Sequence, residues 1–494
     1  MNDEITASAS LWNEDLKPTE ASARTWLWYH FASLWIGMVM CIPAYLLASG
    51  LINEGMSPTE AIVTVFLGNA IVLVPMLLVG HAGACYGIPF PVLARAAFGV
   101  RGAAIPATAR ALVACGWYGI QTWVGGSTLH TLIQVATGYT EAPQPVPGLG
   151  IGWSQLACFL VFWILQLFIV SKGMEAIKKL ETWTAPFKIL VCVALVWWAA
   201  GAGGGFLSVL QQPSGFSEGG PRAGQFWLVF WPSLTAIVGF WATLSLNIPD
   251  FTRFARSQSH QIIGQTIGLP GPMGFLTLVS VVTTSATVVV FGKAIWDPVA
   301  LAGHFTGVLV LIGLLVIAID TASCNLAANL VGPAYDFSSL APRLISYRTG
   351  GYITAAIGVC IMPWRLVASS DGYIFTWLVG YSALLGPLAG VIVADYWLVR
   401  RCELSVAELY RERGIYRYVG GWNPTAIFAV LAGVLPNLPG FLHAVAPASF
   451  GGVGGFWIEL YTYAWFVGFA LAAAVYYALT KISVGAARTR VRPA

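Results

Sequence analysis

WIGMVMCIPAYLLASG, Trp35 to Gly50, is an apolar run of membrane-spanning character with a proline in its interior. Pro43 has no amide N–H to donate, and its ring crowds the preceding turn. A helix interrupted there leaves backbone carbonyls near Gly37 and Met40 without partners. Free carbonyls at bilayer depth can bind a cation. The alternative is a simple proline kink.

The rest of the chain sets that stretch in a membrane. Charged residues are 9% of the 494 and hydrophobic residues 57%, against about 25% charged in a soluble protein. So little charge cannot cover a water-exposed surface, so the apolar side chains face lipid. The 21 tryptophans, 54 glycines and 27 prolines suit interfaces, close helix packing and broken helices. A net charge of only +4 gives nucleic-acid binding no support. The eight cysteines form no CxxC pair or ligand cluster, and most sit in apolar runs as small hydrophobes.

At about 20 apolar residues per crossing, the sequence predicts an all-α membrane protein of about twelve transmembrane helices. The spans fall near 29–52, 60–84, 104–132, 154–171, 184–202, 226–248, 273–292, 306–334, 350–369, 373–397, 424–443 and 458–480. Polar connections are expected near 204–224, 249–272 and 400–422. Basic residues test this map. Of 25 Lys and Arg, 20 fall in the two tails and alternate connections, including Lys172, Arg253, the cluster Arg400–Arg417, and Arg492. The opposite connections hold Arg222, Lys293 and Arg365, while Arg110 and Lys188 lie in or near spans. Both termini are therefore expected to be cytoplasmic, with residues 1–28 and 481–494 as tails.

Polar groups at bilayer depth are costly unless paired or facing a cavity, so three further segments stand out. In ACGWYGIQTWVGG, Ala114 to Gly126, Trp117 and Gln121 are four apart and share a helix face. An indole beside an amide suits a flat heterocycle with ring N–H and C=O groups; Gln121 could equally bond a neighbouring helix. In TAIVGFWATLSLNIPDFTRF, Thr235 to Phe254, Trp241 is the pocket candidate, and Asp250 with Arg253 reads as a structural ion pair at the helix end. In AIDTASCNLAANLVGPAY, Ala318 to Tyr335, Asp320, Ser323 and Cys324 share one face, and Asn325 and Asn329 form a second pair. Asp320 could bind a cation, carry a proton or serve as a hydrogen-bonded structural residue.

Several ordered blocks carry a resemblance: NEDLKPT at Asn13–Thr19, RTW at Arg24–Trp26, YGIPFPVLARAAFG at Tyr86–Gly99 and GIQTW at Gly119–Trp123. LNIPDFTRFARSQ follows at Leu246–Gln258, GQTIGLPG at Gly264–Gly271, NLAANLVGPAYDF at Asn325–Phe337 and GPLAGVIVADYWLVRR at Gly386–Arg401. With these the chain resembles the nucleobase–cation symporter-1 family of cytosine, uracil, purine, allantoin and hydantoin permeases. The resemblance implies a leucine-transporter-like fold. A first five-helix repeat (29–202) is followed by an inverted second repeat (226–397) and two additional helices (424–480), with the first helix of each repeat broken. In hydantoin-transporting relatives a Trp stacks on the substrate and a Gln four residues later bonds it, matching Trp117 and Gln121. A further Trp closes the pocket, matching Trp241, and an Asn bonds the ring, matching Asn329, with Asn325 as its neighbour. Phe240 falls where that relative has Gly, and Cys41 where it has Gln. In a sodium-coupled relative the cation takes carbonyls matching Gly37 and Met40, and span-eight oxygens at positions matching Asp320, Ser323 and Cys324. Thiol sulfur is a poor ligand for so hard a cation.

The sequence thus predicts an importer of a small planar amide heterocycle, such as uracil, allantoin or a hydantoin. It would work by alternating access coupled to a proton or to sodium at that site, with no other cofactor. The alternatives are an uncoupled channel or facilitator and a membrane-embedded enzyme. Against the enzyme, HExxH, GxSxG and metal-ligand clusters are absent; no P-loop suggests a primary pump.

Overall fold

The computed structural model describes residues 8–138, 145–171, 174–370 and 372–490, which are predominantly helical. The first apolar span is two helices, α1 (Trp28–Val39) and α2 (Ile42–Asn53), bent by 60°. Cys41 between them is extended (φ −135°, ψ 157°), and its N–H reaches back only to the Val39 carbonyl at 2.8 Å. Pro43 lies in the first turn of α2, where a missing N–H is harmless. The proline therefore starts a new helix; it does not kink a continuous one.

A capping box between Ser57 and Glu60 opens α3 (Pro58–Tyr86). Then come α4 (Phe90–Phe98), the long α5 (Ala104–Thr137), α6 (Trp153–Ser171), α7 (Met174–Ala202) and the short α8 (Phe206–Leu210). The second interrupted span is α9 (Phe226–Phe240), α10 (Ala242–Asn247) and α11 (Pro249–Thr252), with Trp241 at the first break (φ −96°, ψ 4°). Next are α12 (Gln258–Gly268), α13 (Pro270–Phe291), α14 (Pro298–Ala302), α15 (Val308–Asn329), α16 (Val331–Leu340) and α17 (Tyr347–Cys360). The helix α18 (Val379–Val393) runs between π-helical turns Gly372–Leu378 and Ala394–Val399. The last four are α19 (Pro424–Val434), α20 (Leu438–Val445), α21 (Gly455–Thr462) and α22 (Ala464–Arg490).

Several boundaries differ from expectation. The expected polar connection 249–272 is largely helix: α12 and α13 form one apolar stretch, Gln258–Phe291. Its glycines explain this, since a Cβ on Gly264 or Gly268 would meet α1 at the Trp28 carbonyl (2.4 Å) or Ala32 Cα (2.8 Å). α12 is thus held by packing on α1 that polar composition does not reveal. The expected span 350–369 ends early, at Cys360, because Met362 is left-handed (φ 55°) and Pro363 follows. By length and apolarity, seven helices among the described residues can cross a membrane, or eight with α1 and α2 as one span; the expected twelve is a larger number. Lys172 and Arg492 lie outside the described residues. Fully exposed apolar side chains such as Leu309 and Trp197, above 80%, mark the lipid-facing surface.

Asp250 and Arg253 are not paired with each other. Asp250 sits at the N-terminus of α4, accepting the Phe90 N–H (2.8 Å) and the Asn247 amide (3.3 Å), where a helix dipole favours an anion. Arg253 instead pins the N-terminal strap: it donates to Thr19 Oγ1 (2.7 Å) and to the carbonyls of Lys17 (2.8 Å) and Asp15 (3.3 Å). Asn13 donates to Ser338 Oγ at 2.6 Å, and the Tyr410 hydroxyl to the Leu16 carbonyl at 2.7 Å. Burial raises the Tyr410 pKa above its ordinary value, against the opposing pull of Arg95 and Arg253, and keeps it a donor.

Candidate functional site

The expected site residues converge where the two broken spans meet α5 and α15. Trp117 on α5 is buried and lies edge-to-face with Phe240, ring centroids 5.0 Å apart. Tyr373, Trp377 and Tyr381 surround the same indole at 6.1, 6.0 and 6.2 Å, all at steep angles. Gly116 admits this packing, since a Cβ there would meet the Trp377 ring at 2.4 Å. At the α9 break, Trp241 packs on Phe240 (4.7 Å) and on Trp35 of α1 (5.2 Å). Its indole N–H donates to Asn69 Oδ1 on α3 at 2.8 Å. Trp241 is therefore a tied side chain, and Asn69 is what ties it.

Gln121 lies one turn along α5 from Trp117 and is also buried. Its amide nitrogen points to Cys324 Sγ at 4.0 Å, while its Oε1 is buried with no hydrogen-bond partner among the described residues. Buried polar atoms are rarely left unmet in native proteins, and a ligand is one resolution. The two asparagines divide their labour. Asn325 donates to the Tyr118 carbonyl (3.0 Å), Thr122 Oγ1 (3.2 Å) and Gln166 Oε1 (2.8 Å), joining α15 to α5 and α6. Asn329 donates to Asn325 Oδ1 at 2.9 Å, and its own Oδ1 accepts none of the described hydrogen bonds.

The expected cation residues also meet. In a regular helix the Gly37 carbonyl would accept from the Cys41 N–H, but that N–H has turned to Val39. The Gly37 carbonyl instead accepts from Lys188 Nζ of α7 at 3.4 Å. The same ammonium forms an ion pair with Asp320 Oδ1, both side chains being at least 90% buried. Cys324 Sγ donates to the carbonyl of Met38 at 3.7 Å; Met40, the expected ligand, lies at the break itself. Met40 and Cys41 line a cavity of about 60 Å³ together with Tyr45, Lys188, Cys192 and Asp320. Cys41 thus lies between the two ends, beside Cys324 and also close to Tyr373 of the aromatic cluster. Ser323 Oγ is buried and unpartnered among the described residues.

Sequence reading missed Trp35, Asn69, Tyr373, Trp377, Tyr381 and Lys188. The aromatics carried no signal, being ordinary in a chain with 13% aromatic residues. Lys188 carried one: it is a lone charge in FKILVCVALVWWAA, Phe187 to Ala200, and such a charge calls for an opposite one on another helix.

The family described as permeases for cytosine/purines, uracil, thiamine and allantoin matches residues 18–468. A purine–uracil permease of Arabidopsis thaliana is 43% identical over 96% of this chain and 78% of its own. An allantoin permease of Bacillus subtilis is 40% identical over 96% of this chain and 94% of its own. Among solved structures, Mhp1, a nucleobase–cation-symport-1 family transporter in a closed conformation with bromovinylhydantoin bound, matches with a TM-score of 0.77. That match is at 23% identity and covers 96% of each chain, so it establishes the fold.

Proposed function

The chain belongs to the permease family for cytosine/purines, uracil, thiamine and allantoin, the nucleobase–cation symporter-1 family, and from that premise we propose that it imports a small planar amide heterocycle. It is a multi-pass integral membrane protein, and its relatives are permeases, not enzymes. Uracil, allantoin and hydantoins are the substrate candidates, carried by alternating access and coupled to a cation, proton or sodium. The observation that carries this reading is the buried pairing of an indole and an unmet amide oxygen, Trp117 and Gln121, on one face of α5. In that pocket Trp117 gives the stacking plane. Gln121 and Asn329 bond the ring amide, and Phe240 and Trp241 close over it.

The repeat assignment, 29–202 and 226–397 with 424–480 added, is supported by the helix breaks at Met40–Cys41 and at Trp241. Each falls in the first helix of its repeat. Cytoplasmic termini are supported by the 20 basic residues in the two tails and alternate connections.

The test is uptake into proteoliposomes of radiolabelled uracil, purines, allantoin and hydantoins, with sodium and proton gradients imposed separately. Accumulation of one of them above equilibrium is expected. Equilibration without accumulation would make the protein a facilitator, and no saturable uptake across the panel would overturn the substrate class.

A further inference from the structure

We propose that the Lys188 ammonium is the resident cation of the site between α1 and α15, a tethered charge standing where a free sodium ion would bind, so that the protein neither binds nor requires sodium. Three observations, on α1 and α15, carry it. The Gly37 carbonyl, released by the break before α2, accepts from Lys188 Nζ at 3.4 Å. The Asp320 carboxylate of α15 is ion-paired with the same nitrogen, both groups withdrawn from solvent. The Cys324 position offers sulfur, and that thiol is already turned to the Met38 carbonyl.

A hard monovalent cation needs several oxygen ligands. Here one carbonyl and the one carboxylate are engaged by an ammonium and the Cys324 position offers a thiol, so that of the expected donors only the Met40 carbonyl and the Ser323 hydroxyl are not so engaged. The pair Lys188–Asp320 is neutral as it stands. Adding sodium beside it would place two like charges at contact distance in a poorly screened interior. The residues present therefore do not fit sodium while Lys188 stays in place. The lysine's position agrees: a long stem buried in α7, with only its nitrogen meeting polar atoms, is how a membrane helix delivers a charge to a distant partner.

The converse also follows from the geometry. Removing the ammonium leaves an unpaired carboxylate, two released carbonyls at Gly37 and Met38, the unpartnered Ser323 hydroxyl and the adjoining cavity of about 60 Å³. That is an oxygen set a sodium ion can use. The effect on transport rests on the carrier reading above; the binding itself does not.

The experiment is equilibrium binding of radioactive sodium to purified full-length protein in detergent, without any transported solute, so that a wrong substrate class cannot affect it. Wild type is expected to show no saturable binding and the same melting temperature in sodium chloride as in choline chloride. Lys188→Ala is expected to gain saturable sodium binding and a sodium-dependent rise in melting temperature. Adding Asp320→Asn to it should abolish both. Saturable sodium binding by wild type overturns the proposal outright and needs no variant. A folded Lys188→Ala that binds no sodium overturns it as well, since the oxygens would then not be a cation site. Should Lys188→Ala fail to fold, the wild-type titration alone decides.

Discussion

Trp117 and Gln121 present one face of α5, and each fails differently when truncated. In the proposed pocket, Trp117→Ala would remove a stacking plane, and Gln121→Ala would leave a ring amide of the substrate unpaired. Each is expected to weaken substrate binding by ~1–3 kcal/mol, read by tryptophan-fluorescence titration in purified protein; wild-type affinity in both would take α5 out of the pocket. The asparagines make a sharper contrast. Asn325 is enclosed by the Tyr118 carbonyl, Thr122 and Gln166, so Asn325→Ala should cost ~1–3 kcal/mol of stability by leaving buried acceptors unmet. Asn329 has one such tie, so Asn329→Ala should melt like wild type and yet not transport. The reverse pattern, with Asn325→Ala stable and inactive and Asn329→Ala active, would exchange the two roles.

Helix α5 carries both of these residues of the proposed pocket, so its placement matters as much as their chemistry. It meets α17 through backbone: a Cβ on Gly119 would lie 2.3 Å from the Gly358 carbonyl oxygen, and one on Gly358 would lie 2.9 Å from that of Cys115. Small residues at such crossings let membrane helices approach closely. Gly119→Val should therefore force the helices apart, at about 1–3 kcal/mol for an overpacked contact. A lower melting temperature is expected together with weaker substrate binding, because Trp117 and Gln121 move with the helix; unchanged values of both would show that α17 yields freely. Elements of this kind mark what was legible in the sequence. Pro43 announced the α1–α2 break because a missing N–H is a local fact, and Trp117 with Gln121 followed from helical period. Gly264 and Gly268, which hold α12 on α1, and the set of Tyr373, Trp377 and Tyr381 around Trp117 depend on partners far along the chain. Asp250 and Arg253 were misread for the same reason: neighbours in sequence, they serve different elements.

At the scale of the molecule, Asn13–Thr19 of the N-terminal strap is tied to the bundle through Ser338, Tyr410 and Arg253, and also through the Gly87 carbonyl and the Tyr347 N–H. Arg253 makes the largest number of these ties, so Arg253→Ala should speed hydrogen exchange of the amides in residues 15–19 by about tenfold or more. Mass spectrometry after deuterium labelling reads this directly, and unchanged protection would assign the anchoring to the other ties, at Gly87, Ser338, Tyr347 and Tyr410. The ion pair at the centre of the bundle has a kinetic corollary. A charge held by four methylenes has an effective concentration set by covalent geometry, not by the medium. It cannot be diluted, saturated or competed away, so the rate law for substrate movement should be of zero order in external alkali metal. Salt would then reach the protein only through screening at its surfaces, and the carrier would run alike in fresh water and in brine.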